Sequence, residues 1–168
     1  MDNKQTTYNL PANWIWTTIG EIGIIESGST PNRSNSTYFN GKIPWVKSGE
    51  LNYNIITETE EKITENAISQ SNVKVISKGA VLVALYGSTV GKVAILGVDA
   101  TTNQAIASIS VTGSLLNRYL YYYLISAKDH LLKLRKGGAQ PNISQVIIKG
   151  FSFPLPPLEE QNRIVEMV

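Results

Sequence analysis

The chain contains no cysteine and one histidine, His130. Without thiols there is no disulfide scaffold, no thiolate metal site and no cysteine nucleophile, and a lone imidazole excludes most zinc sites. Cysteine-free composition fits a reducing compartment. Charged residues amount to only 17%, below the usual quarter. Ser, Thr, Asn and Gln fill the shortfall, which suits loops that hydrogen-bond. The longest apolar run, Ala80 to Tyr86, has seven residues, against about 20 for a membrane-spanning helix. Met1 to Tyr8 is polar and lacks the apolar stretch of a signal peptide. The expectation is a soluble, cytoplasmic protein with no membrane partner.

Catalytic patterns are missing too. No Gly-x-Ser-x-Gly elbow and no calcium-loop spacing of carboxylates is present. The segment Gly87-Ser88-Thr89-Val90-Gly91-Lys92-Val93 resembles a phosphate loop, but three residues separate its glycines instead of four. Val93 stands where that loop needs a magnesium-binding hydroxyl. Nucleotide binding is therefore excluded, and no cofactor is expected. The glycine-flanked loop and its Lys92 can still contact a phosphate of DNA.

What is there suits one domain, or one domain with an appendage: 168 residues, 42% of them apolar. The net charge of +2 hides an asymmetry. Residues 1–65 carry five basic and eight acidic side chains, residues 66–149 nine and two, and residues 150–168 one and three. The central block, at +7, is a candidate footprint for a polyanion.

The β-branched run Ile19 to Ser27 reads as a strand ending at Gly28, whose expected role is a backbone turn. Ile43 to Val46 reads as a short strand that Pro44 places at a sheet edge. Thr64 can cap a short helix through Ser71. Lys74 to Ile76, Ala80 to Tyr86, Lys92 to Leu96 and Ala105 to Val111 read as strands, the second and third forming a looped pair. Apolar residues from Leu116 to Leu134 recur at helical spacing. They predict one long helix over Asn117–Lys136, capped by Ser114 or Asn117 and closed at Gly137. Val146 to Phe153 reads as a strand. Pro154 to Gln161 then opens a second helix whose stripe Leu158, Gln161, Val165, Val168, with Ile164 beside it, is heptad-like and meets no stop signal.

A DNA reader needs polar loops on a rigid β scaffold, with Arg and Lys on phosphates and amide or guanidinium groups on base edges. Three segments offer this inventory: Ser29 to Ser36, Tyr86 to Lys92, and Lys136 to Asn142. The residues alone leave DNA binding and a protein-interaction role both open.

The ordered set of motifs resembles the target-recognition domain of type I restriction–modification specificity subunits. The set runs Leu10-Pro11-Ala12-Asn13-Trp14, Gly28-Ser29-Thr30-Pro31, Ile43-Pro44-Trp45-Val46-Lys47-Ser48-Gly49-Glu50-Leu51, Lys78-Gly79-Ala80-Val81-Leu82-Val83 and Gly87 to Lys92. It continues through Thr102-Asn103-Gln104-Ala105, Gly138 to Ile143, and Pro154-Leu155-Pro156-Pro157-Leu158-Glu159-Glu160-Gln161. The resemblance implies an α+β domain over residues 1–153, with a twisted mixed or antiparallel sheet and a packed long helix. Residues 154–168 would begin a coiled-coil-like spacer helix that continues toward a second recognition domain.

The function it implies is non-catalytic recognition of one half of a bipartite site in double-stranded DNA. Separate methyltransferase and restriction subunits would be the partners, with a second specificity half or a second copy meeting the C-terminal helix. Asn32, Arg33, Gln140 and Asn142 are the expected base-reading candidates and Lys92 the phosphate contact, with Gly138 in a backbone turn. The alternatives are the recognition part of a fused restriction–methyltransferase enzyme and a protein-interaction module without a DNA role.

Overall fold

A computed structural model describes residues 8–113, 115–135 and 142–168. The chain opens with β1 (Ile15–Thr18), α1 (Ile19–Ile22) and β2 (Gly23–Ser27). The expected strand over Ile19 to Ser27 is thus a strand only in its second half. The physical reason lies at Thr18. The Glu21 carboxylate accepts hydrogen bonds from the Thr18 N–H (3.0 Å) and from the hydroxyls of Thr17 (2.7 Å) and Thr18 (3.1 Å), which winds one helical turn. Those bonds, the Thr17 hydroxyl first, hold the Glu21 carboxyl below its ordinary pKa.

There follow β3 (Phe39–Val46), β4 (Asn54–Ile56), β5 (Glu61–Ile63), α2 (Glu65–Gln70), β6 (Val81–Ala84), β7 (Val93–Leu96), β8 (Thr101–Thr102) and β9 (Ile106–Val111). The Thr64 side chain caps α2 through the Ala67 N–H, as its position predicts. The expected looped pair is the antiparallel β6–β7 ladder, with Val81 opposite Ile95. Of the expected strand at Lys74 to Ile76, only an isolated bridge from Ile76 to Ala100 forms.

Five strands make one mixed sheet in the order β2-β9-β6-β7-β4, antiparallel except for β4 beside β7. A second, three-stranded sheet runs β5-β3-β8. Pro44 therefore sits in a central strand, not at an edge. It is tolerated because the parallel pairing of β3 with β8 begins one residue later, at Trp45 opposite Thr101, while the Thr101 hydroxyl donates to the Pro44 carbonyl (2.9 Å).

At β6 and β7 both faces of the large sheet are buried, which explains why these strands read as continuous apolar runs. One face carries Val81, Val83, Val93, Ala107 and Ile109. The other carries Leu82, Ala84, Ala94, Leu96 and Ile56, covered by Val46 and Leu51. The first face packs on α3 (Asn117–Ser126), α4 (Lys128–Lys133), α5 (Gln145–Lys149) and Phe151 and Phe153 of the segment leading into and through β10 (Ser152–Leu155). The buried hydroxyls of Tyr119 and Tyr123 donate to the carbonyls of Pro154 (2.8 Å) and Ser152 (2.6 Å), and burial pushes both phenols well above their ordinary pKa.

The long helix expected over Asn117–Lys136 is two helices, α3 and α4, divided at Ala127 (φ −90°, ψ 4°). At the junction the Ser126 hydroxyl donates back to the Tyr123 carbonyl (2.8 Å), a bond that bends helices. The expected caps Ser114 and Gly137 lie outside the described residues. Asn117 does not cap either, because the N-cap position is Leu116.

The strand expected over Val146 to Phe153 is also corrected. Residues 145–149 form α5, because the Ser144 hydroxyl caps it by accepting from the Ile147 N–H (3.3 Å), and only β10 is extended. β10 pairs antiparallel with β1, so the strand runs through Pro154 and Leu155. The final helix, α6 (Leu158–Met167), begins after Pro157.

Along its described length α6 lies back on the domain. Gln161 is 2% exposed. Its carbonyl oxygen accepts from the Leu116 N–H (2.9 Å) and its amide donates to the Pro156 carbonyl (3.0 Å). The start of α3 is thus capped from across the fold. Ile164 and Val165 pack on the same core, while Leu158 and Val168 remain exposed.

Candidate nucleic-acid interface

Strand register gathers one rim of the large sheet. The C-terminal ends of β2 and β6 and the N-terminal ends of β9, β7 and β4 lie side by side, through the pairs Ser27–Ala107, Ala84–Ile106, Val83–Val93 and Asn54–Ala94. The segments leaving these ends share the rim: 28–30, 51–53, 85–92 and 103–105. The Ile143 N–H donates to the Leu85 carbonyl (2.8 Å), so residues 142–145 join them. The Gln145 amide donates to the Ser27 hydroxyl and the Thr30 hydroxyl to the Gln104 carbonyl oxygen, which ties the rim together.

Gly28 belongs here for a different reason from the turn expected of it. A Cβ at Gly28 would lie 2.3 Å from the carbonyl oxygens of Thr102 and Asn103, so only a glycine lets β2 meet β8 this closely. The Ser29 N–H then donates to the Thr102 carbonyl (2.9 Å).

Of the sequence candidates, the structure places Lys92 and Asn142 on this rim. Lys92 is half-buried and its ammonium donates to the Asn52 side-chain oxygen (3.0 Å); Asn142 is exposed beside the Ile143–Leu85 link. Gln140 and Gly138 lie outside the described residues. Asn32 and Arg33 are placed elsewhere. The Asn32 side-chain oxygen closes a local turn by accepting from the Ser34 N–H (3.0 Å) and hydroxyl (2.9 Å). Arg33 pairs with Glu61 of β5 through both guanidinium nitrogens, and its guanidinium carbon stands 4.8 Å from the ring centres of Phe39 and Trp45. Lys47 reaches the same carboxylate (3.2 Å) and Glu60 (2.6 Å). Arg33's hydrogen bond above all, opposed by burial and assisted by Lys47's, holds the Glu61 carboxyl below the usual glutamate range.

Three further rim residues were not legible as candidates. Tyr53 adopts φ +59°, a left-handed conformation uncommon for a bulky side chain, while its N–H donates to the Val93 carbonyl (2.9 Å). The Lys128 ammonium, from the start of α4, donates to the Tyr53 hydroxyl and lies 5.1 Å from the ring centre. Asn52 holds Lys92. The only sequence signal was an aromatic flanked by asparagines, Asn52-Tyr53-Asn54, and nothing local points from there to Lys128. Among the described residues no group of His, Cys, Asp and Glu is arranged to hold a metal ion.

Comparison with known proteins bears on this rim. The profile of the type I restriction modification DNA specificity domain matches residues 11–168. The chain belongs to that family. The specificity domain is 31% identical over 159 residues to the type I restriction enzyme EcoR124I/EcoR124II specificity subunit of Escherichia coli, covering 91% of this chain and 39% of the relative. It is 30% identical over 165 residues to the MjaIX specificity subunit of Methanocaldococcus jannaschii, covering 95% and 38%. It therefore spans about two-fifths of the length of the curated relatives it matches.

Among solved structures, the HsdS subunit from Thermoanaerobacter tengcongensis aligns with a TM-score of 0.77 at 25% identity, over 97% of this chain and 38% of that one. A chain from a structure describing complex assembly and conformational transition of the type I R-M system aligns with a TM-score of 0.80 at 24% identity, over 97% and 39%. This second likeness concerns the fold. The α+β architecture of the specificity domain, a twisted mixed sheet packed by helices, is the expected one.

Proposed function

We propose that this specificity domain reads one half of a bipartite duplex site and directs partner methyltransferase and restriction subunits to it, doing no chemistry of its own. The observation that carries the reading is the rim. Loops from five adjacent strand ends present amides, hydroxyls and the ammonium of Lys92 on a scaffold buried on both faces at β6 and β7. That is the division of labour a DNA reader needs, with cations setting position and amide groups reading base edges. On this reading Lys92 contacts phosphate, and Asn142 and Gln140 read bases. Arg33 gives two of its N–H donors to Glu61 and is assigned to holding the fold, and Asn32 to its turn.

Residues 1–153 then form the recognition unit and residues 154–168 the root of a spacer. The exposed Leu158 and Val168 of α6 are the positions at which a second recognition half, or a second copy, would meet it. No helix among the described residues is long and apolar enough to cross a membrane, and the proposed place of action is the cytoplasm, where the DNA is. The test is fluorescence anisotropy with a random 30-base-pair duplex at low salt. Binding that weakens steeply with salt is expected. No binding at any salt would favour a protein-interaction role.

A further inference from the structure

Two groups of cations among the described residues differ in the side-chain oxygen that holds them. Arg33, Lys47, Lys74 and Arg163 each sit on a carboxylate. Lys92 and Lys128 are held by neutral oxygens instead, of Asn52 and Tyr53, and make no ion pair among the described residues.

These residues form one contiguous cluster. Asn52 and Tyr53 are chain neighbours, as are Gly91 and Lys92; Lys92 bonds to Asn52, and Lys128 bonds to Tyr53 with its stem near Gly91. Its ammonium meets the Tyr53 hydroxyl, and a Cβ at Gly91 would come 3.7 Å from its Cγ. Both of the tight backbone positions here are left-handed, Tyr53 at φ +59° and Gly91 at φ +77°. At Gly91 a side chain would be strained by this backbone, and its Cβ would press on the Leu132 Cδ2 at 2.9 Å.

The hydrogen-bond inventory shows what such a cluster can take. The Asn52 oxygen is occupied by Lys92, which leaves the amide N–H groups to donate. The Tyr53 oxygen accepts from Lys128, which leaves the phenolic O–H to donate. Each ammonium keeps two further N–H donors. What remains is a surface of donors carrying two positive charges, with no carboxylate bonded to it. An acceptor-only anion complements it.

We infer that Asn52, Tyr53, Lys92 and Lys128 form a clamp for the phosphodiester backbone of duplex DNA, fixing where the neighbouring loops meet the bases. The inference rests on the reading of the domain as a DNA binder and adds three residues and a chemical role to it. Tyr53 acts as an uncharged donor held by Lys128 and next in the chain to the residue that holds Lys92. Its left-handed backbone carries the phenol under Lys128, in the manner of strain retained at working sites.

The test is a salt titration of binding to a random 30-base-pair duplex, with thermal unfolding measured alongside. Lys92→Met and Lys128→Met should each lower the magnitude of the log-affinity against log-salt slope by about 0.9, one phosphate contact apiece, and should weaken all sequences alike. Lys128→Arg should restore the slope. Tyr53→Phe should keep the wild-type slope and weaken binding about fivefold, the loss of one hydrogen bond. A purely structural role for Lys128 would change unfolding and not the slope, and Lys92, whose one bond goes to an exposed side chain, gives a variant with little folding consequence. Wild-type binding whose slope survives both methionine variants overturns the clamp and leaves the DNA reading standing. Absence of salt-dependent binding by the wild type overturns the DNA reading and the clamp with it.

Discussion

Arg33 with Lys47 on the small sheet, and Lys92 with Lys128 on the rim of the large one, are cations of similar chemistry that the fold treats in opposite ways. The first two share the Glu61 carboxylate, and Arg33 also lies against two aromatic rings. Their charge is neutralised inside the molecule, and their geometry serves β3 and β5. The second two rest on an amide and a phenol, which orient an ammonium without cancelling its charge. A positive residue in a polar loop is therefore no guide to binding by itself. On the proposed reading, what separates a cation that holds the fold from one that meets phosphate is whether the nearest oxygen carries a charge.

The two regions meet at Gly28, and the largest effect is expected there. Gly28→Ala would drive a Cβ to within 2.3 Å of two backbone oxygens that have no flexible side chain to move. The expected cost is about 3 kcal/mol, at the upper end of overpacking penalties, read as a lowered urea midpoint. Because residues 28–30 tie the small sheet to the rim, DNA binding should fall with it. An alanine variant of unchanged stability would show that the two sheets can part without harm.

A smaller effect separates the regions. Glu61→Gln keeps the shape of the side chain and removes the charge shared by Arg33 and Lys47. A partly exposed pair of this kind contributes about 1 kcal/mol, so unfolding should shift by that amount. Arg33 is released while Lys47 keeps Glu60, yet the salt slope of DNA binding should stay where it was. A steeper slope in Glu61→Gln would mean that Arg33 faces the DNA after all.

The same carboxylate makes a pH prediction. Its pKa is depressed in the folded state, chiefly by Arg33. The stabilisation is therefore complete above the unfolded glutamate value of about 4.3 and is lost as pH falls through the lower folded value. Urea unfolding from pH 6 downward should show wild type converging on Glu61→Gln in that window. Parallel curves would mean that Glu61 titrates alike folded and unfolded.

Much of the framework could be read from the residues. The β6–β7 ladder, the Thr64 cap and β9 follow from β-branched runs and a capping side chain, which act over a few residues. Failures came where two short-range signals compete or where the partner is remote. Val146-Ile147-Ile148 has no period of its own, and Ser144 tipped it into a helix. For Arg33, nothing local shows the carboxylate 28 residues away with which it pairs. For Lys128, nothing local shows the Tyr53 hydroxyl 75 residues away to which it donates. The family resemblance carried the domain's role, but motif order says nothing of which cations are neutralised.

The smallest structural change tests the comparison most directly, by converting one region into the other. Asn52→Asp replaces the neutral oxygen that holds Lys92 with a charged one of the same size, making an ion pair like those of Arg33 and Lys47. Asn52 is exposed, so the new pair should alter stability by no more than about 0.5 kcal/mol. Binding should change more than folding does. Lys92 would be neutralised from within and a negative charge set beside the path of the phosphates, so the salt slope should lose about 0.9 in magnitude or more. Asn52→Ala frees Lys92 without adding charge and should keep the wild-type slope with modestly weaker binding. The contrast between these two variants isolates charge from orientation. If aspartate and alanine at position 52 gave the same slope, the charge of the oxygen holding Lys92 would not matter, and the distinction drawn between the two regions would fail.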